Sequence, residues 1–317
     1  MLNLFDLAGK NGIIVLVIIM TLNNWMSQLN GDTELFRLNL AGTHDCVTQY
    51  VQFSRISKCQ NTNIYQQLLM GIRCLDIRVA QKGSRLGMVH GFAKAFSIPN
   101  HFSKQMDMAE VLKHCYRFLE ENPTETVVFQ FKNDDRRHQE KCFDNLYKSY
   151  ILQNPNRWYL ENRGPSLSEA RGKIVLLRRC NKDNSARYPL GSGIDFSRWV
   201  EQRPCVPEPL TLKTGGEHSM TFTVQDRFNY KPEPRWRQCI LPFLKSMGEF
   251  NGNYIINYLS TAGGFKGPYE NSKYINPRFE EFELNPRYYY GCIYMDFPTE
   301  KLVEKIVKTN FSENKKI

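Results

Sequence analysis

The chain has 317 residues, 41% of them apolar, and a formal net charge of +10. That length and apolar content suit one large α/β barrel or two smaller domains and exclude a disordered chain. The charge attracts anionic partners, but Lys and Arg are spread along the chain with only short groups at 134–138 and 314–317, and no basic arm or RNP-like pattern points to nucleic acid.

In chain order, residues 13–20 form an unbroken apolar octet preceded by Lys10. This resembles the h-region of a signal peptide and is too short to cross a bilayer. Asp6 and the lack of an A-x-A-like cleavage site before Asn23 argue against secretion. The alternative is an amino-terminal helix packing Leu2, Leu4 and the Ile/Val run on the body of the protein. Residues 1–22 thus read as a leader or a helix, and 23–317, with no repeat or low-complexity linker, as a single domain. The leader reading implies a secreted or cell-surface protein. The nine cysteines, an odd number without a CxxC pair or zinc spacing, favour a reducing, cytoplasmic location. Cys74, Cys180 and Cys292 fall in or beside strand-like runs, where they pack as small apolar residues.

Helices alternate with these runs. Ile64, Leu68 and Leu69 recur at helical spacing, and Gly71 ends that segment as a C′ glycine. Met108, Val111, Leu112, Cys115 and Leu119 line one helical face, stopped by Asn122 and Pro123. Phe143, Leu146, Tyr147 and Tyr150 mark another helix, and Leu302, Val303, Ile306 and Val307 the last. Two long irregular stretches remain, 181–213 and 260–285, rich in Gly, Pro, Ser and Asn. Loops of that length are functional or poorly ordered. In the second, Phe265 and Tyr269 are aromatic side chains suited to a lipid interface.

Eight apolar runs, at 36–41, 72–77, 86–89, 127–131, 174–177, 220–224, 254–256 and 291–295, each end in a charged, amide or histidine side chain. In a (β/α)8 TIM-type barrel, residues at the carboxyl ends of the strands meet at one mouth. The predicted fold is therefore a single, irregular (β/α)8 barrel. The side chains at the run ends are His44 and Asp45, Asp76 and Arg78, His90, Lys132, Arg179, Asp226, Asn257 and Asp296. His44 and Asp45, adjacent on an extended segment, are expected to point apart and serve different partners. Asp76 and Arg78, two apart, face one side of a strand. Two histidines with an arginine between them and separate carboxylates can cleave a phosphodiester. One neutral imidazole takes a proton from the attacking hydroxyl, the other, protonated, gives one to the leaving oxygen, and the arginine holds the phosphate. Each carboxylate fixes a histidine's tautomer.

At these residues the chain resembles the bacterial-type phosphatidylinositol-specific phospholipase C family, over about residues 24–310. The resemblance is carried by Ala-Gly-Thr-His-Asp at 41–45, Gly-Ile-Arg-Cys-Leu-Asp-Ile-Arg at 71–78, His90-Gly91, Asn-Pro-Thr-Glu-Thr at 122–126 and Gly-Lys-Ile-Val-Leu-Leu at 172–177. Thr-Val-Gln-Asp at 223–226 and the run ending in Asp296 extend it. The resemblance implies that His44 is the general base on the inositol 2-hydroxyl, oriented by Asp296. His90, paired with Asp45, would be the general acid for the diacylglycerol oxygen, and Arg78 would hold the phosphate. Lys132, Arg179 and Asp226 would bind inositol, and the products would be diacylglycerol and inositol 1,2-cyclic phosphate. In calcium-dependent relatives an acidic ligand stands where this chain has Arg78, so no metal or other cofactor is expected.

One position departs from the family pattern: Phe228 stands where a tyrosine often stacks on the inositol ring, which keeps the aromatic face and loses a hydroxyl. The family's membrane-contacting helix corresponds to 47–58, where Tyr50, Val51 and Phe53 face either lipid or the barrel. The expected partner is phosphatidylinositol in a membrane surface, met by a monomer, with no nucleic acid involved. A metal-dependent glycerophosphodiester phosphodiesterase would need acidic metal ligands at the mouth, against which Arg78 argues. A noncatalytic inositide-binding module would lack a member of the histidine, carboxylate and arginine set, and all five are present.

Overall fold

Seven of the eight apolar runs become parallel strands of one sheet in the computed structural model, which describes residues 21–100, 102–135, 139–201 and 209–311. Around the sheet the order is Ile194–Asp195, Ile174–Arg179, Val127–Asn133, Cys74–Lys82, Leu40–Thr43, Cys292–Met295, Tyr254–Tyr258 and Thr221–Gln225. Every neighbouring pair in that series is parallel. The last strand in the chain lies beside the first, which is the circular order of a (β/α)8 barrel. The barrel is irregular. Among the described residues no ladder joins Ile194–Asp195 to Thr221–Gln225, whose outer edge instead pairs antiparallel with Leu210–Lys213.

The run at 86–89 is not a barrel strand. Cys74–Lys82 continues past Ile77 through the buried Val79 to Gly83, where φ of +62° turns the chain in a two-residue loop. Arg85–His90 then runs back antiparallel, and Ala93–Phe96 and Tyr50–Val51 extend this side sheet. The missing barrel strand is Ile194–Asp195, inside the stretch read as irregular. The first strand also starts later than expected. Phe36 lies in the 3-10 turn Leu35–Arg37, and Asn39 accepts from the amides of Tyr290 and Gly291 at 2.6 and 3.1 Å before the ladder begins at Leu40.

The helices follow the apolar spacing. Met108–Glu121 starts at a capping box of Asp107 and Glu110, buries Val111, Leu112, Cys115 and Leu119, and ends at Asn122. Ile64–Leu69 is followed by Gly71 at φ +101°, although Leu69 turns outward. Gln139–Leu146 runs into the π turn Tyr147–Ile151, and Glu300–Lys308 buries Leu302, Val303, Ile306 and Val307. The stretch 260–285 is not irregular throughout, because Pro268–Glu281 is a helix packed through Ile275 and Phe279. Pro268 sits in its first turn, where a missing N–H costs nothing.

At the amino-terminal end of the barrel, Arg73 is fully buried between the Trp25 and Phe118 rings and pairs with Glu125 at 2.7 Å. Its guanidinium also donates to the carbonyls of Leu22 and Asn23, which fixes the 3-10 segment Leu22–Gln28. The apolar octet read as a leader or helix lies outside the described residues, as do both basic groups apart from Asp134 and Asp135. The eight described cysteines are buried and unpaired, Cys74, Cys180 and Cys292 among them. Among the described residues no helix is long and apolar enough to cross a membrane.

Candidate active site

At the carboxyl end of the barrel a cavity of about 550 Å³ is lined by His44, Arg78, His90, Lys132, Arg179, Asp226, Phe228 and Asp296, among others. The sheet register sets part of this pattern. Arg78, Lys132 and Arg179 are direct partners across three neighbouring parallel strands, so their side chains share one level and one face. His44 and Asp45 follow the first strand, Asp296 follows the last, and His90 is brought over the mouth by the hairpin.

The Asp45 carboxylate lies at the centre. Its Oδ2 is 3.1 Å from His44 Nε2, 3.1 Å from Arg78 Nη1 and 3.4 Å from His90 Nε2. The histidine rings stand edge to face with centroids 5.9 Å apart. The expectation that His44 and Asp45 point apart is therefore wrong. Asp45 sits beyond the strand with φ of +44°, in a turn where strand alternation no longer applies. On its other side His44 Nδ1 meets Asp296 Oδ1 at 2.8 Å, which holds the Nδ1 proton and leaves Nε2 facing the cluster. Gln60 donates to the His44 and Met295 carbonyls and fixes the turn. His90 Nδ1 donates to the Ser57 carbonyl at 2.8 Å, so its Nε2 faces Asp45.

Arg78 donates to Asp76 Oδ2 through Nε and Nη2 at 3.1 and 2.8 Å. Asp76 is itself held by Gln130, which also bonds the Tyr258 hydroxyl. Burial would raise the Asp76 carboxyl, but Arg78 and His44 hold it well below the usual carboxylate range. Asp45 differs: burial lifts it above its ordinary value against the pull of Arg78 and both histidines. Burial would lower the His44 imidazole, yet the charges of Asp296 and Asp45 together raise it. Burial likewise opposes the Arg78 charge and is outweighed by Asp45, Asp76 and Asp134.

The next two strands carry further cations. Lys132 bridges Asp134 at 3.0 Å and Glu201 at 2.7 Å, and Arg179 lies over the Trp199 ring at 3.8 Å. Asp134, Trp199 and Glu201 line the same cavity and were missed in the sequence, as were Gln60, Gln130 and Tyr258. Trp199 and Glu201 lie in the stretch read as irregular, where the length of the loop was the available signal. Gln130 and Tyr258 stand in apolar strand segments that gave none, and Gln60 in a polar loop with no motif.

The four aromatic candidates for membrane contact differ in exposure. Tyr50 is half-buried in a short strand and Val51 is buried, so 47–58 is not one helix; its helical part is Ser54–Ser57. Phe53, 60% exposed, packs tilted against Phe92, 73% exposed, with ring centroids 5.5 Å apart. Phe265 is fully exposed, and Tyr269 rests edge-on against Phe297. Ile56, Gly91 and Pro268 join these segments to the cavity lining.

Residues 43–180 match the family model described as phosphatidylinositol-specific phospholipase C, X domain. The 1-phosphatidylinositol phosphodiesterase of Listeria monocytogenes is 26% identical over 308 residues, covering 92% of this chain and 86% of that protein. A protein of the same name from Staphylococcus aureus is 25% identical, covering 90% and 94%. Among solved structures, a variant of the Staphylococcus aureus phosphatidylinositol-specific phospholipase C superposes with a TM-score of 0.76 at 24% identity, covering 92% of this chain and 98% of that one. The Listeria monocytogenes enzyme superposes with a TM-score of 0.67 at 21% identity, over 92% and 100%. These two likenesses are ones of fold. The segment that matches the phospholipase C X-domain model supplies His44, Asp45, Arg78, His90 and Lys132, and over nearly its whole length the chain is similar to the bacterial phosphatidylinositol phosphodiesterases and shares their barrel.

Proposed function

We propose that the protein is a phosphatidylinositol-specific phospholipase C that cleaves its lipid by attack of the inositol 2-hydroxyl on phosphorus. The observation that carries this reading is the convergence of His44 Nε2, His90 Nε2 and Arg78 Nη1 within 3.4 Å of one point, the Asp45 Oδ2 atom. Groups that meet there can all reach one phosphodiester.

In this mechanism His44, its Nδ1 proton held by Asp296, accepts the proton of the 2-hydroxyl as the new P–O bond forms. His90, with Asp45 beside it, gives a proton to the glycerol oxygen as the old P–O bond breaks. Arg78, kept charged and oriented by Asp76, stabilises the negative phosphate oxygens. Diacylglycerol and inositol 1,2-cyclic phosphate leave, His44 releases its extra proton to solvent, and His90 takes one up from solvent. Lys132, Arg179 and Asp226 hold the inositol hydroxyls, and Phe228 offers the ring an apolar face. Arg78 supplies a fixed positive charge, so the reading assigns no metal to catalysis. Phe53, Ile56 and Phe92, exposed beside the mouth, would enter the lipid interface and bring the headgroup to the cavity.

The test is purified protein on phosphatidylinositol vesicles, followed by phosphorus NMR. The cyclic phosphate should form with or without EDTA. Absence of cleavage, or activity that EDTA removes and calcium restores, would overturn the proposal.

A further inference from the structure

We propose that His44, Asp45 and Cys59 form an inhibitory site for a thiophilic divalent cation, with zinc the representative ion. One donor atom from each, an imidazole nitrogen, a carboxylate oxygen and Sγ, lies within 4.8 Å of the others. Ligands on a tetrahedral zinc stand roughly 3.5 Å apart, given bonds of about 2.0–2.3 Å. Side-chain rotations of about 1 Å close the set.

Three further observations point to a cation here. Asp45 is fully buried, and its Oδ1 makes no hydrogen bond. Such an atom is costly unless something binds it. Two carboxylates flank the proposed nitrogen ligand, Asp45 at 3.1 Å from His44 Nε2 and Asp296 at 2.8 Å from its Nδ1. Cys59 is fully buried, with Sγ 3.7 Å from His90 Nδ1.

The donor set decides the class of ion. One sulfur, one nitrogen and one oxygen suit zinc, cadmium or cobalt, whereas calcium and magnesium want oxygen ligands throughout. On binding, the Cys59 S–H bond breaks, an S–metal bond forms and the proton leaves to solvent. His44 gives its lone pair to the metal, and the fourth position opens to the cavity that His44 and Asp296 line. The consequence for turnover rests on the general-base role proposed for His44; the binding itself does not. With its lone pair on the metal, His44 cannot accept the 2-hydroxyl proton.

Cobalt(II) is titrated into the full protein and into Cys59→Ser and Cys59→Thr, with folding checked by circular dichroism. The expected result is a near-ultraviolet thiolate-to-cobalt band that saturates at one ion per chain and is absent from both variants. Zinc should inhibit phosphatidylinositol cleavage reversibly by EDTA, and each variant should need at least ~10² times more zinc for half-inhibition of its own metal-free rate, since even outer-shell losses cost about 10–100-fold in metal affinity. No band in the wild type, or equal zinc sensitivity in wild type and a folded variant, overturns the proposal. The cobalt band reads the site even if the protein proves inactive on phosphatidylinositol.

Discussion

Asp296→Asn tests the geometry of the proposed base most directly. The carboxylate meets His44 Nδ1 at 2.8 Å while Asp45 meets Nε2 at 3.1 Å, so two anions compete for the ring proton from opposite edges. With Asp296 neutralised, Asp45 draws the proton onto Nε2, the nitrogen that must be free to accept. A wrong tautomer at a general-base histidine costs about 10⁴ in kcat in a well-studied triad, and general-base catalysis as a whole contributes about 10²–10⁴. The variant should therefore lose about 10²–10⁴ in kcat/KM, or roughly 2.7–5.4 kcal/mol of transition-state stabilisation at 1.36 kcal/mol per decade. The pH profile carries a second signature. Burial lowers the His44 imidazole, and the two carboxylates raise it above 6.5 overall. A base must be neutral, so wild-type kcat/KM should rise with pH through an acid limb centred above 6.5. Removing one anion lets burial weigh more, and the limb should move to lower pH. Initial rates on phosphatidylinositol from pH 5 to 9 measure both effects. A profile that superimposes on the wild type, or a loss smaller than tenfold, would refute the tautomer argument.

His44→Ala and His90→Ala should each cut turnover by at least ~10² with the circular dichroism spectrum unchanged, and full turnover in either removes that residue from its role. Arg78→Lys should lose the two-point contact with Asp76 and lower kcat without making the enzyme calcium-dependent; rescue by calcium would contradict the fixed-charge argument. Replacing Phe53 and Phe92 by Ser should weaken vesicle binding about 10-fold or more in a sedimentation assay, since burying one such ring is worth ~1.5–3 kcal/mol, while cleavage of a monomeric soluble substrate stays the same. Glu125→Gln should destabilise the fold by about 3–5 kcal/mol in urea, because it leaves the buried Arg73 charge without its counter-ion.

The barrel was legible because charged groups at the ends of apolar runs are a local pattern, and seven of those runs do form its parallel strands. The run at 86–89 shows what such a pattern omits: alternation marks a strand but not the direction of its partner, and Gly83 alone reverses the chain. The strand Ile194–Asp195 is too short to leave a periodic trace. The helix Pro268–Glu281 was hidden by Pro277 and by polar residues that outnumber its apolar face. In the site, most residues with charge and a place at a strand end were found, Asp134 after Val127–Asn133 being the exception. Gln130 and Tyr258 escaped because their polar tips, the amide on Asp76 and the hydroxyl on that amide, project from otherwise apolar segments. The relation of His44 to Asp45 was misread because it depends on one left-handed backbone angle.

The two imidazoles reach their meeting point by different routes. His44 is anchored on the staves of the ring, whereas His90 hangs from an arm that leaves the ring at Val79 and returns through Arg85–His90. Side chains on such an arm change face with every residue, so deleting a single position between Gly83 and His90 would swing the imidazole to the outer surface. Natural variation in length should accordingly be tolerated in the peripheral helices and forbidden in this arm, whose span works as a ruler for the spacing of the proton donor and the proton acceptor.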